Sequence, residues 1–547
     1  MAYVKVLDRK ETVLLPDCIE DLVGQDNQVR VIDAFVDGLD MNDIGFQRAV
    51  FKDTGRPGYD PRDLLKLYIY GYFNKIRSSR KLMAECGRNI EVFFLLNRLV
   101  PDFRTIADFR KDNAVAIKNV FRAFVKICLK LNLYQKELIA IDGSKFRAVN
   151  SKSNSYNKDT LKMKLERIDE NISKYLSRMD DSDETQQEEP SYTPEKIKAA
   201  IDELTKRKEK YTGFLKELDE TGETQKLTTD PEARVMHSKD GFHCSYNVQT
   251  AVDKGSHLIA DYLVTNNCTD QGLLKEVSDN VRDILEVETI EIVADKGYES
   301  RKDIEDCIMN GIIPNVALKY DIKERLFTVD YVEAEITEEE RNSTAPEDIQ
   351  KCIAAGILPA CYENTSIEVE LQEQSATSCF ILNENGTVTC PMGNTLTKLR
   401  IRGKNTVYGS KEACRQCTNK CTSSTKHKRV SFGPTTKCVP VKMYGDAQIL
   451  TQIPDNLPIS TFNHTLDRKD YKKKKVTLRI REDIHKMKER MCLSEHPYGT
   501  VKWYHGAHYL LCKGKQKATA ELGLSFLAYN MRRTINMVGI QKLMAVL

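Results

Sequence analysis

The chain has 547 residues, 41% of them apolar and 30% charged, which is enough for roughly three or four compact units with a sizeable core. Lys and Arg number 83 against 80 Asp and Glu, a formal net charge of +3, so any contact with a polyanion must come from local basic surfaces and not from the overall balance. No apolar run approaches the roughly 18 residues a membrane span needs, and MAYVKVLDRKETVLL lacks the apolar core and cleavage site of a signal peptide; we expect a cytosolic protein whose 16 cysteines are free thiols or metal ligands.

Residues 1–130 read as an all-helical domain, because PDCIEDLVGQDNQVRVIDAFVDGL and PRDLLKLYIYGYFNKIRSSRKLMAECGRNIEVFFLLNRL place apolar residues at three- and four-residue spacing. Lys75, Arg77, Arg80 and Lys81 interrupt the second stretch. They are either a solvated helix face or the phosphate-contacting edge of a DNA-binding module.

From residue 137 the pattern changes to strands. KELIAIDGSKFRAV, FHCSYNVQTAVD and HLIADYLVTN are short and bounded by Gly, Asp or Asn. The helix TDQGLLKEVSDNVRDIL, the strand TIEIVADKGY, the helix SRKDIEDCIMNG and the strand IIPNVAL follow. Three neighbouring strands and then alternating helices and strands predict a mixed α/β sheet flanked by helices, carried by 131–157 and 226–320.

Two insertions break this sheet. Over 158–225, Leu161, Leu165, Ile168, Ile172, Tyr175 or Leu176, and Met179 follow a heptad spacing, repeated by Ile197, Ile201, Leu204, Tyr211, Leu215 and Leu218. Between them the acidic DDSDETQQEEPSYTP reads as a turn, with Thr193 and Pro194 opening the second arm. An antiparallel helical hairpin is expected, with weak or wet pairing where Lys208 takes an apolar position. The second insertion, 321–475, is acidic at first, later rich in Thr, Asn and Cys, and ends in the basic run KDYKKKK; helices are expected over 476–547.

Asp142 and Asp295 stand in or at the ends of predicted strands of one sheet. Carboxylates at neighbouring strand ends converge at a sheet edge, where two acids hold divalent metal for phosphodiester chemistry. Taken alone, Asp142 before Gly143 equally suits a residue that turns the chain.

Cys390, Cys414, Cys417 and Cys421 form a Cys-x2-Cys pair with a third Cys four residues on and a fourth upstream, sufficient for a tetrahedral S₄ structural Zn²⁺ site. Such a knot would staple an insertion that reads as too poor in apolar residues to build its own core. Reduced structural cysteines, or Cys379 or Cys438 as partners, are the alternatives.

IAIDGSKFRA, DPEARVMHSKDGFHCSYNVQTAVD, LVTNNCTDQG, IVADKGYES and SEHPYGTVK, in this order, resemble the DDE transposases of bacterial insertion sequences, whose catalytic core is ribonuclease H-like. PGYDPRDLLKLYIYGY, DFRTIADFRKDN and the closing LAYNMRR extend the resemblance over most of the chain. It implies that Asp142, Asp295 and Glu495 bind Mg²⁺ or Mn²⁺, since Glu495 precedes Lys502 with the family's Glu-x6-Lys spacing. Arg490 lies five residues before Glu495 where four is usual, Pro497 speaks against a regular helix there, and Glu489 and Glu521 compete for the role. The resemblance also assigns Lys296, Arg490, Tyr498 and Lys502 to DNA, unless they are surface charges and a packed ring. His237 and His243 are expected to be strand or loop residues, because metal-activated displacement needs no histidine base. The activity implied is Mg²⁺-dependent cleavage and strand transfer at the ends of an insertion sequence, by a homodimer binding transposon ends and target DNA. A non-catalytic DNA-binding derivative and a general nuclease of the same fold are the rivals.

Overall fold

The computed structural model describes residues 18–47, 58–185, 194–238, 240–318, 324–375, 380–383, 385–390, 392–417, 427–434 and 472–547. The chain divides into two compact units, Met1–Ile304 with Ile484–Leu547, and Glu305–Asp483.

In the first unit, the N-terminal helices include α1 (Pro61–Phe73) and α2 (Ala114–Lys130). Asp60 caps α1 by accepting from the Arg62 N–H, and Pro61 supplies a preset φ at the first turn. Both helices pack against the long closing helix. Arg77, at the end of the predicted basic face, is neither solvated nor free for DNA: it is 7% exposed and its guanidinium lies 2.7 Å from Glu521, itself 1% exposed. Glu521 also accepts from the Leu511 and Cys512 N–H groups. A buried acid so fully used by backbone and arginine is a structural residue.

The strands β1 (Ile139–Arg147), β2 (Arg234–Ser238), β3 (Gly241–Asp253), β4 (Ile259–Thr265) and β5 (Ile290–Ala294) build a mixed sheet. The long β3 pairs antiparallel with β1 on one edge and with β2 and then β4 on the other; β5 lies parallel to β1. β2 was not foreseen, since RVMHS is too short to show an alternation by itself. Helix α5 (Leu274–Leu285) covers the sheet through Leu274, Val277, Val281 and Leu285.

Between β1 and β2 the chain makes two 28-residue helices, α3 (Lys158–Thr185) and α4 (Pro194–Thr221). Lys158 bridges Asp219 and Lys208 bridges Asp169, each at 2.6 Å, a pairing in which one number rises as the other falls, so the helices run antiparallel. Lys208 therefore reaches across the pair to a carboxylate from its would-be apolar position. Leu161, Ile168, Ile197 and Leu218 are buried, and Tyr156, Tyr211, Phe214 and Leu215 pack at the base of the hairpin. Thr193 lies outside the described residues.

After Asp483 come α6 (Ile484–Gly499), a π-helical turn at Thr500–Tyr504 and α7 (Lys515–Val538). The expectation that Pro497 bars a helix through Glu495 is corrected. Proline costs a helix its own N–H bond and crowds the carbonyl four residues back, yet α6 continues past Pro497 to Gly499 and the π turn follows directly.

The second unit contains an antiparallel sheet in the order β7 (Ile367–Ser375), β8 (Lys472–Arg481), β6 (Glu324–Asp330). The basic run continues without a break through Arg481 as the middle strand between acidic ones. Arg479 lies 3.5 Å from Glu324 and 3.4 Å from Glu370, and Arg481 lies 3.1 Å from Glu368. The Cys-rich part was expected to lack a core, and this too is corrected: Phe380, Val388, Leu396, Tyr408 and Val430 from five short antiparallel strands form one, with Cys390 packed against it. Residues scattered singly over a polar segment converge once the strands pair. Cys421, Cys379 and Cys438 lie outside the described residues, and Cys390, Cys414 and Cys417 are in no disulfide.

Candidate active site

Asp142 is in the middle of a strand. β1 does not turn at Gly143 but continues to Arg147, with Asp142 opposite Thr250 and Gly143 opposite Gln249 on β3. The chain-turning alternative for Asp142 is thereby removed. Gly143 is required by crowding: a Cβ there would stand 2.4 Å from Asp270 Oδ1 and 2.6 Å from Gln249 Nε2. Gly143→Ala is expected to destabilise the protein by about 1–3 kcal/mol through overpacking, read as a lower midpoint in urea unfolding. An unchanged midpoint would show that Asp270 is free to move aside.

Asp295 follows the last residue of β5 and caps the 3₁₀ turn Lys296–Tyr298, its Oδ1 accepting from the Gly297 N–H at 2.7 Å. The parallel pairing ends at Ile141 with Ala294, so Asp142 and Asp295 are the next residues on the two adjacent segments. Lys296 is exposed beside them.

Asp142 accepts from the Gly143 N–H at 2.9 Å, and its other oxygen lies 3.8 Å from the Arg490 guanidinium. Burial pushes its carboxyl up to about 6, against the pull of Arg490 and the Ser494 hydroxyl and with the added push of Asp295. A pKa raised above the unfolded carboxylate value favours the protonated form: that stability is fully present below about pH 4 and is lost as pH rises through about 6. Asparagine does not ionise. In metal-free buffer Asp142→Asn is therefore expected to be more stable than the wild type at pH 8, by on the order of 2–3 kcal/mol, with the gap closing by pH 4. Coincident melting curves at pH 8 would contradict this.

α6 supplies the other wall. Leu493 packs with Leu138, Ala140 and Val293, and Arg490, Leu493, Ser494, Pro497 and Tyr498 share one helical face at three- and four-residue spacing. That face turns Arg490 and Ser494 toward Asp142. Glu495, one position on, is exposed, and no group of three His, Cys, Asp or Glu side chains converges among the described residues. Its competitors are placed elsewhere: Glu489 pairs with Lys254 at 2.8 Å and Glu521 with Arg77.

The residues assigned to DNA are dispersed in role. Tyr498 is buried, 7% exposed, and its hydroxyl donates to the backbone carbonyls of Asp142 and Val248, so the packed-ring alternative holds and a direct DNA contact is corrected. Lys502 donates to Ser144 Oγ at 2.6 Å and to the Lys145 carbonyl at 2.7 Å, over the Phe146 ring. It braces the strand that carries Asp142. His237 and His243 lie on β2 and β3, His237 edge-on to Phe242.

Asp270 was missed. Its Oδ1 accepts from Asn247 Nδ2 at 2.7 Å and Gln249 Nε2 at 2.8 Å, with Lys145 Nζ at 3.5 Å, and a Cβ on Gly297 would lie 3.4 Å from its Oδ2. Tyr298, from the turn capped by Asp295, donates to Gln249. This network ties β1, β3 and the Asp295 turn together. The carboxylate sits in a loop, NNCTDQG, where sequence offers no periodic signal; the alternating polar residues of SYNVQT on an otherwise buried strand were the available hint.

Asp142 and Asp295 offer hard oxygen donors on adjacent strands. A magnesium ion that keeps several waters is commonly held by one or two carboxylates plus substrate phosphates, so the pair fits that ion. Acids on a ribonuclease H-like mixed sheet define a phosphoryl-transfer enzyme. Residues 134–355 match the family model described as a transposase DDE domain, and residues 17–112 the one described as a transposase domain, DUF772. The chain thus carries a transposase DDE domain behind an N-terminal transposase domain. No curated protein is significantly similar to it. Among solved structures, a cryo-EM structure of the piggyBac transposase synaptic complex with hairpin DNA aligns over 95% of this chain and 84% of that one, at 8% identity and a TM-score of 0.22, too low for residues to be equated. Among the described residues, no helix is long and apolar enough to cross a membrane.

Proposed function

We propose that the protein cleaves DNA at the terminal inverted repeats of an insertion sequence and joins the freed 3′-OH ends to target DNA. The observation that carries the reading is that Asp142 on β1 and Asp295 directly after β5 each follow the last paired residues of the two parallel strands, within a chain that carries a transposase DDE domain. Asp142 and Asp295 would hold Mg²⁺ or Mn²⁺, which when bound supplies charge stabilisation at the reacting phosphate. Glu495 is the third acid of this reading. It is supported by its spacing to Lys502, which itself grips β1 beside Asp142, and by the structural employment of Glu489 and Glu521. Arg490 compensates the Asp142 charge from the wall of the site. Lys296, exposed next to Asp295, would meet a DNA phosphate in this reading.

Holding two ends calls for two copies of the chain, with the α3–α4 hairpin as a coiled-coil contributor. A structural Zn²⁺ on Cys390, Cys414, Cys417 and Cys421 is a separate part of the reading, and metal analysis of the purified protein decides it.

The test is cleavage of a duplex carrying the inverted repeat that flanks the gene, with and without Mg²⁺, by wild type, Glu495→Gln and Glu489→Gln. Cleavage should require Mg²⁺, vanish in Glu495→Gln and survive in Glu489→Gln. Cleavage that persists in Glu495→Gln removes Glu495 from the site. Binding without any cleavage by the wild type favours the non-catalytic derivative.

A further inference from the structure

Outside the acid site, α6, the π turn and α7 border a partly open cavity of 260 Å³ whose lining includes His496, His505, Arg532, Arg533 and Asn536 together with the apolar Met537. Its charge is one-sided. Arg532 uses one nitrogen on the Phe73 carbonyl and stacks its guanidinium 4.0 Å over the Phe73 ring, while Arg533 bonds the Ser256 carbonyl through Nε. Among the described residues neither guanidinium has a carboxylate within ion-pair distance. A carbonyl leaves an arginine charge uncompensated and most of its donors unused.

His505 is the second, independent observation. It is 2% exposed, yet neither ring nitrogen has a hydrogen-bond partner. An orphaned imidazole buried this deeply costs free energy unless something enters the cavity to bond it. Arg532 and Lys75 both press its pKa down, on top of burial, so the field at the ring is positive. Guanidinium donors and an imidazole N–H suit a tetrahedral oxyanion with several acceptor oxygens.

We infer that this cavity is a phosphate-binding site, and that the phosphate it takes is one from the DNA backbone. The inference rests on the transposase reading for the source of the phosphate, but not for the oxyanion chemistry. The cavity borders the same helix that carries Glu495, on the side of His496 and Thr500, so a strand held there would be anchored next to the acid-bearing helix.

The experiment measures binding of the flanking inverted-repeat duplex by fluorescence anisotropy over a range of salt, using the full chain. Asn536 is exposed on the rim, so Asn536→Asp and Asn536→Lys change its charge without touching the core. Asn536→Asp is expected to weaken binding roughly tenfold and Asn536→Lys to tighten it, while Arg533→Gln flattens the slope of log K against log salt by about 0.9, one phosphate's worth. Melting curves of the Asn536 variants should match the wild type. In parallel, inorganic phosphate at millimolar concentration is added while the His505 ring resonances are followed by NMR. Phosphate should shift them, and the duplex should abolish the phosphate response.

Equal duplex affinity and salt slope in wild type and all three variants overturns the proposal. A phosphate response that the duplex leaves untouched also overturns it, because the site then takes free phosphate and not DNA. The two readings fail separately: a wild type that binds duplex through the cavity yet never cleaves it sinks the transposase reading and supports the site, whereas one that cleaves but ignores Asn536→Asp sinks the site alone.

Discussion

Asp142→Asn and Asp295→Asn are each expected to lower Mg²⁺-dependent cleavage of the inverted-repeat duplex by at least roughly a thousandfold, with duplex affinity unchanged within about twofold. The size follows from what the carboxylates do. Each offers a hard oxygen to a divalent ion, and losing one such ligand forfeits several kcal/mol of charge stabilisation, at about 1.4 kcal/mol per factor of ten in rate. Binding should survive because Asp142 is largely buried beneath α6 and a carboxylate gives no attraction to phosphate. The Asp142→Asn variant should also fold at least as well as the wild type at neutral pH, since the buried charge it removes is one that burial itself opposes. A variant that cleaves at more than a tenth of the wild-type rate would remove the residue from the metal site.

The second large effect is structural. Glu521→Gln should cost about 3–5 kcal/mol of stability, because it leaves the Arg77 guanidinium buried without its counter-charge. Arg77 also donates to the Gly506 and Tyr509 carbonyls, and Glu521 accepts from the Leu511 and Cys512 N–H groups, so one substitution disturbs the junction of the N-terminal helices, the segment after the π turn and α7. The measurement is the urea midpoint, backed by the yield of soluble protein. A loss below about 1 kcal/mol would mean that water reaches Arg77 and replaces the carboxylate. Paired with Glu495→Gln, the variant separates two acids that the sequence alone leaves in competition: one should stop cleavage in a stable protein, the other should unsettle the protein.

A good part of the molecule could be read from the chain. The alternation in KELIAIDGSKFRAV and the four-three spacing of Leu161 to Met179 are local signals, and they became β1 and α3 because short-range periodicity is imposed by which face is buried. Lys208 shows the limit. Its position in the heptad was legible, but that it would find Asp169 depends on the antiparallel register of two helices. The basic strand β8 shows another: Arg479 and Arg481 are balanced by Glu324, Glu368 and Glu370, more than a hundred residues away in the chain.

What the sequence determined by itself is the kind of protein and the strands that carry two candidate acids, since strand patterns and ordered motifs are written in neighbouring residues. Only the tertiary structure decided what surrounds them. It made Gly143 a close-packing position and not a turn, because Asp270 comes back from a distant loop to fill the space a side chain would need. It buried Tyr498 and set Lys502 on β1, since one face of α6 must cover the sheet and the turn after it must grip the strand. It also left His505 buried without a partner among cations, a condition no local pattern encodes, because it arises where two separate segments meet.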